Sequence, residues 1–131
     1  MATTIPITGT KGGRVDFLVR QGADFIRVLT IRDRVALTPI DLTGQTLAGQ
    51  VRKTADAASS VATISLTVTD AVNGQVRLKI ANTATAAMTC DPDDENADAS
   101  KYVYDVERTD GAGEKHPVIY GDLYLWREVT K

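Results

Sequence analysis

The chain holds few of the residues that make chemistry easy to read. It has one cysteine, Cys90, and one histidine, His116, in 131 residues. A lone cysteine excludes an internal disulfide and a cysteine metal cluster within one chain. No apolar run approaches the roughly 20 residues that cross a bilayer. The beginning, MATTIPITGTKGG, lacks the basic-then-hydrophobic order of a secretory signal, so synthesis in the cytoplasm and no membrane partner are expected. Aromatics are few, and the basic residues are dispersed with no aromatic platform between them, which speaks against nucleic acid as a partner. Long stripes of helical period are also scarce.

What is present is the composition of a soluble globular domain, 43% hydrophobic and 24% charged, with 17 threonines that lean toward β structure. The net charge of −2 conceals an asymmetry. Residues 1–90 carry 10 Lys+Arg against 6 Asp+Glu, and residues 91–131 carry 5 against 11, or +4 and −6. A subunit with unlike ends can meet neighbours through complementary fields.

The length suits one domain, expected over residues 15–131 behind a flexible arm, 1–14, that includes a short strand near Ile5–Thr8. Val15, Phe17 and Val19 share a face at the strand period of two. The next run, FIRVLTIRD, is apolar on both parities, which predicts a bulge or a strand buried on both faces. TLAGQVR, residues 46–52, follows the connection Pro39–Leu47. Ile64, Leu66 and Val68, the Asn73-Gly74 turn, and Val76, Leu78 and Ile80 spell a hairpin. Asn82–Met88 is the one helical turn, with Asn82 or Thr83 as its cap. Lys101–Arg108 and Val118–Trp126 close the pattern, the last again apolar on both parities. About seven strands with short turns predict an all-β, antiparallel, immunoglobulin-like β-sandwich with one short helical turn, a small barrel remaining open as the alternative.

The motifs for chemistry are thin. Asp91, Asp93, Asp94, Glu95 and Asp98 invite a calcium reading, but no turn-forming glycine lies among them and a hydrated loop explains them. His116 could join Asp105 or Asp122 and a serine in a hydrolase triad, yet Ser59, Ser60, Ser65 and Ser100 lie in no nucleophile-elbow pattern. Asp105 and Glu107 share a strand face without the opposed geometry of glycoside chemistry. No catalytic, cofactor or metal residue is assigned and no cofactor is expected. Phe25, Arg27, Tyr120, Tyr124 and Trp126 are the candidate interface, through which subunit packing competes with sugar or peptide recognition.

One ordered combination goes further: QGADF, FIRVLTIRD, PIDLTG, LAGQVR, GQVRL, TATAAM, YVYDVE and the closing strand, in that order over residues 20–126. It resembles the small β-sandwich domains of tailed bacteriophages, particularly the N-terminal domain of baseplate upper proteins and related tail or fibre-attachment proteins. The resemblance implies a non-enzymatic virion protein, made in the host cytoplasm, that joins other virion subunits as a homo-oligomer in a tail, baseplate or neck. A carbohydrate- or peptide-binding module and a capsid cement or decoration protein are the alternatives. The chain departs from that pattern in its acidic DPDDENAD insertion, in Arg27 at a position usually apolar, and in ending soon after the sandwich.

Overall fold

The computed structural model describes residues 2–7, 13–33, 38–89 and 99–127. Cys90 and the acidic segment 91–98, on which the calcium reading falls, lie outside them. The strands are β1 (Ala2–Ile7), β2 (Gly13–Arg14), β3 (Phe17–Arg20), β4 (Phe25–Asp33), β5 (Thr46–Arg52), β6 (Ala62–Asp70), β7 (Gln75–Ile80), β8 (Ala99–Thr109) and β9 (Lys115–Trp126). Among the described residues a single short helix, α1 (Asn82–Ala87), sits between β7 and β8.

The nine strands of the described residues form one hydrogen-bonded sheet, eight of them in the order β1-β4-β7-β6-β5-β8-β9-β2 and the ninth, β3, beside β9. The corner is β6. Its first residues, Ala62–Ile64, pair with β5, and its remainder, Ser65–Asp70, pairs with β7. The path curls there, so the inward residues of the two halves share one core. The protein is all-β, as the alternation requires, but the expected antiparallel sandwich of seven strands gives way to a curled mixed sheet. β1 runs parallel to β4, and β2 and β3 run parallel to β9. Hairpin signals encode pairing between neighbours in sequence. These three pairings are non-local and leave no such signal.

Glycine and a carbonyl explain why residues 13–20 form two short strands rather than one. Between them, Val15 donates its N–H to the Tyr120 carbonyl at 2.9 Å, and its own carbonyl accepts the Tyr104 hydroxyl at 2.5 Å. The Asp16 carboxylate accepts the Asp122 N–H at 2.9 Å. This crossing presses onto Gly121, where a Cβ would stand 2.1 Å from the Val15 oxygen. Only glycine permits that approach.

The two strands with apolar residues on both parities have separate causes. In β4, Leu29, Thr30 and Ile31 are all buried, because residues 38–44 and the β6–β7 turn cover that end. Ile40 donates to the Ile31 carbonyl and Ile31 to the Gly74 carbonyl, both at 2.9 Å. In β9 the register with β8 shifts between Val106 and Glu107, from Ile119 to Pro117. Val118 is the extra residue of this bulge, so Val118 and Ile119 are buried side by side.

The core gathers Phe17, Val19, Leu29, Val51, Ile64, Val76, Leu78, Ile80, Tyr104, Leu123 and Leu125. Each such aliphatic or aromatic side chain contributes about 1.5–3 kcal/mol on full burial. Phe17 stacks on Tyr104 with centroids 4.8 Å apart and tilts against Phe25 at 5.0 Å. The helix is held from outside. Ala81 is its N-cap residue and makes no side-chain cap bond, so neither Asn82 nor Thr83 plays the expected part. Asp24, in the β3–β4 turn, accepts the Asn82 N–H at 2.7 Å instead. The buried Thr85 hydroxyl accepts from the Gly22 N–H and lies within bonding distance of the Ala23 carbonyl.

Candidate functional site

The outward face of β5, β8, β9 and β3 carries most of the polar and aromatic side chains singled out above. On β9 the inward positions are Gly121, Leu123 and Leu125, so strand alternation sends Tyr120, Asp122, Tyr124 and Trp126 outward. On β8, Tyr102, Tyr104 and Val106 point inward and Lys101, Asp105 and Glu107 outward. The register then sets Tyr120 opposite Asp105 and Asp105 opposite Gln50.

These rows border a cleft of about 360 Å³ between Arg14, Gln50, Arg52, Asp105, Tyr120 and Asp122. Its cations are fixed. The Arg14 guanidinium lies 3.2 Å from Asp16 and 3.1 Å from Asp122, and 5.9 Å from the Tyr120 ring centroid. Asp16 raises the Arg14 pKa most; desolvation opposes it, and Asp122 and Tyr120 add to the rise. Arg52 donates to the Ala57 carbonyl at 2.8 Å and to the Gln50 side chain at 3.0 Å. Asp105 is different. Partial burial, then the neighbouring Glu107, push its carboxyl pKa up, and Arg52 only partly offsets them. The arrangement can hold a small polar ligand or a partner's side chain.

Beyond the cleft, at the end of β9, Leu18 of β3 pairs with Tyr124, and Arg20 with Trp126. Leu18 is 55% exposed, Tyr124 36% and Trp126 40%, which makes a solvent-facing apolar cluster. Among the described residues β3 pairs only with β9, so this cluster adjoins an open strand edge.

The five candidate interface residues therefore separate. Tyr120 lines the cleft, and Tyr124 and Trp126 form the neighbouring cluster. Phe25 is 5% exposed and belongs to the core. Arg27 is exposed on β4, with its guanidinium 4.3 Å from the Phe25 ring centroid and a bond to the Ile26 carbonyl.

The fold is similar to that of the N-terminal domain of phage TP901-1 ORF48. The two share 14% identity, with 97% of this chain and 96% of that one covered, at a TM-score of 0.46. No protein-family model and no curated protein matches the sequence.

The structure also assembles a group that the sequence hides. Asp110, Glu114 and His116, at the β8–β9 turn, bring their ligand atoms within 4.8 Å of one another, close enough to hold a metal ion. His116 Nε2 lies 2.9 Å from an Asp110 oxygen, while the other Asp110 oxygen accepts the N–H groups of Ala112 and Glu114. These bonds, that to His116 foremost, hold the Asp110 pKa below its ordinary value. His116 thus binds Asp110, not the Asp105 or Asp122 of the triad hypothesis. The only sequence signal for this cluster is a turn that folds an acid back onto a histidine six residues on.

Proposed function

We propose that the chain is a non-enzymatic structural component of a tailed-phage virion, an adaptor or anchoring module that joins neighbouring subunits in a tail, baseplate or neck. The observation that carries the assembly reading is the Leu18–Tyr124–Trp126 cluster beside the open edge of β3. A sheet edge flanked by exposed apolar side chains is what a subunit covers when it joins another. The phage setting comes from the ordered residue pattern over residues 20–126. The arm, residues 1–14, and the domain that follows it are proposed to act as one unit, with β1 and β2 pinning the arm to opposite ends of the sheet.

Imaging of the assembled source particle at side-chain resolution tests this. The chain is expected at a repeated, stoichiometric position with the β3–β9 corner covered by another subunit. Absence of the chain from purified particles refutes the reading. A position on the capsid lattice would instead assign the cement or decoration role.

A second reading, a carbohydrate- or peptide-binding module, is favoured by the cleft, where Tyr120 stands beside the fixed guanidiniums of Arg14 and Arg52. Titration of glycans and peptides, with loss of binding in Tyr120→Ala, would support it.

A further inference from the structure

We propose that copies of this chain dock onto one another head to tail, the outer face of β4, β7 and β6 on one copy lying against the outer face of β9, β8 and β5 on the next. The proposal rests on the assembly reading and names the partner as a second copy.

The two faces carry matching arrays. On the first, β7 is the central strand, and Arg77 and Lys79 point outward from it two residues apart. Arg77 lies opposite Val28 on β4 and Thr67 on β6, and Lys79 opposite Ile26 and Ser65. Each row therefore reads apolar, cation, small hydroxyl. Ile26 is 38% exposed, and among the described residues no carboxylate forms a salt bridge with either cation.

On the second face the central strand is β8, and Asp105 and Glu107 point outward two residues apart. Asp105 lies opposite Tyr120 on β9 and Gln50 on β5, and Glu107 opposite Pro117 and Ala48. Each row reads apolar, anion, small or polar. Strand geometry makes the two charge spacings the same, about 6.6 Å for two residues, and the strand spacings the same, about 4.8 Å. Sheets stacked with roughly aligned strands stand about 10 Å apart, a gap that Arg or Lys facing Asp or Glu can bridge.

Placing β7 over β8 and β4 over β9 sets apolar columns together and fixes one direction along the strands, in which each cation lies over an anion. A cation set over Asp105 favours the charged form that the free copy disfavours. Partial burial, then Glu107, raise the proton affinity of Asp105, and among the described residues Glu107 forms a salt bridge with Lys115 alone, a solvent-exposed pair at 3.4 Å of a kind worth little. Because the two faces differ, each docked copy keeps one face free. Such heterologous contacts close into rings when the rotation allows.

Sedimentation of the purified full chain over a wide concentration range tests the proposal. Wild type is expected to self-associate, more weakly as salt rises. Arg77→Glu with Lys79→Glu, or Asp105→Lys with Glu107→Lys, should each weaken association by roughly tenfold or more. Mixing these two variants should restore it, since each supplies the face the other has inverted, and the fourfold variant should again associate alone. Recovery in the mixture shows that both variants are folded. If circular dichroism shows a reversed variant to be unfolded, Arg77→Gln with Lys79→Gln serves in its place and should weaken association.

A wild type that stays monomeric into the hundreds of micromolar overturns the proposal, as does association indifferent to the reversals or a loss that mixing does not recover. Particle imaging that finds the chain in the virion would leave the structural role intact in each of those cases.

Discussion

Replacing Gly121 with alanine tests the crossing between β2 and β3 at its tightest point. The new Cβ would lie 2.1 Å from the Val15 carbonyl oxygen and 2.8 Å from its carbon, where real Cβ contacts do not fall below 3.0 Å. Relief needs about 0.9 Å of backbone movement, the difference between those limits. That movement strains the Val15–Tyr120, Tyr104–Val15 and Asp122–Asp16 hydrogen bonds together. Overpacking costs about 1–3 kcal/mol and each weakened bond up to about 0.5–1.5 kcal/mol, while the stiffer unfolded chain returns about 0.4–1 kcal/mol. The net expectation is a loss of about 2–4 kcal/mol. With a urea dependence of about 2 kcal/mol per M, the unfolding midpoint should fall by about 1–2 M. Gly111→Ala is the control, since nothing lies within 4 Å of its added Cβ, and it should change stability by about 0.5 kcal/mol or less. Equal midpoints for the two variants in urea titrations would show that the crossing does not constrain the fold as argued.

Asp105→Asn should stabilise the protein at neutral pH. The folded-state pKa of Asp105 is raised, so the folded protein holds its proton more tightly, and wild-type stability declines as pH rises from the unfolded-state pKa through the folded one. The advantage of the variant should therefore vanish below about pH 4 in denaturant titrations across pH; a constant advantage would contradict the sign. Thr85→Val strips a buried hydroxyl from the Gly22 N–H and the Ala23 carbonyl. Thermal or urea unfolding should show a loss of about 1–3 kcal/mol, and an unchanged midpoint would mean that water replaces the bonds. Trp126→Ala with Leu18→Ala should leave monomer stability within about 1 kcal/mol because both side chains face solvent. It should lower incorporation into particles, measured by mass spectrometry of purified virions, and undiminished incorporation would remove this corner from the interface.

The sequence revealed strands more readily than their neighbours. Ile64–Ile80 showed its hairpin because alternation and Asn73-Gly74 report local geometry, and Gly74 does take a φ of +67°. The connection Asp41–Gly44 was equally readable. Asp41 accepts both the N–H and the hydroxyl of Thr43, Leu42 is buried, and Gly44 turns at φ +74°. Parallel pairing of β1 and β3 was hidden, since their partners lie far along the chain and period alone does not name a partner. The same limit applied to the site. Tyr124 and Trp126 were named from one strand parity as candidate interface residues, whereas Leu18 and Arg14 joined them only through the β3–β9 and β2–β9 registers. Phe25 and Arg27 share a parity, and only packing shows that one fills the core while the other reaches solvent.

The arrangement of β1, β2 and β9 also sets an order of events during synthesis. β1 and β2 sit at opposite ends of the sheet path, and the partner of β2 and β3 is the last of the described strands to be translated. Contacts spanning more than 100 residues, such as Asp122 to Asp16, are costly in loop closure and slow to form. A nascent chain can complete the β6–β7 hairpin early, but Phe17 and Val19 have no β9 to lie against until residues 115–126 emerge. The finished fold, with both arms of the curl joined, therefore waits for β9, and its rate should depend on β9 more than on any strand made before it.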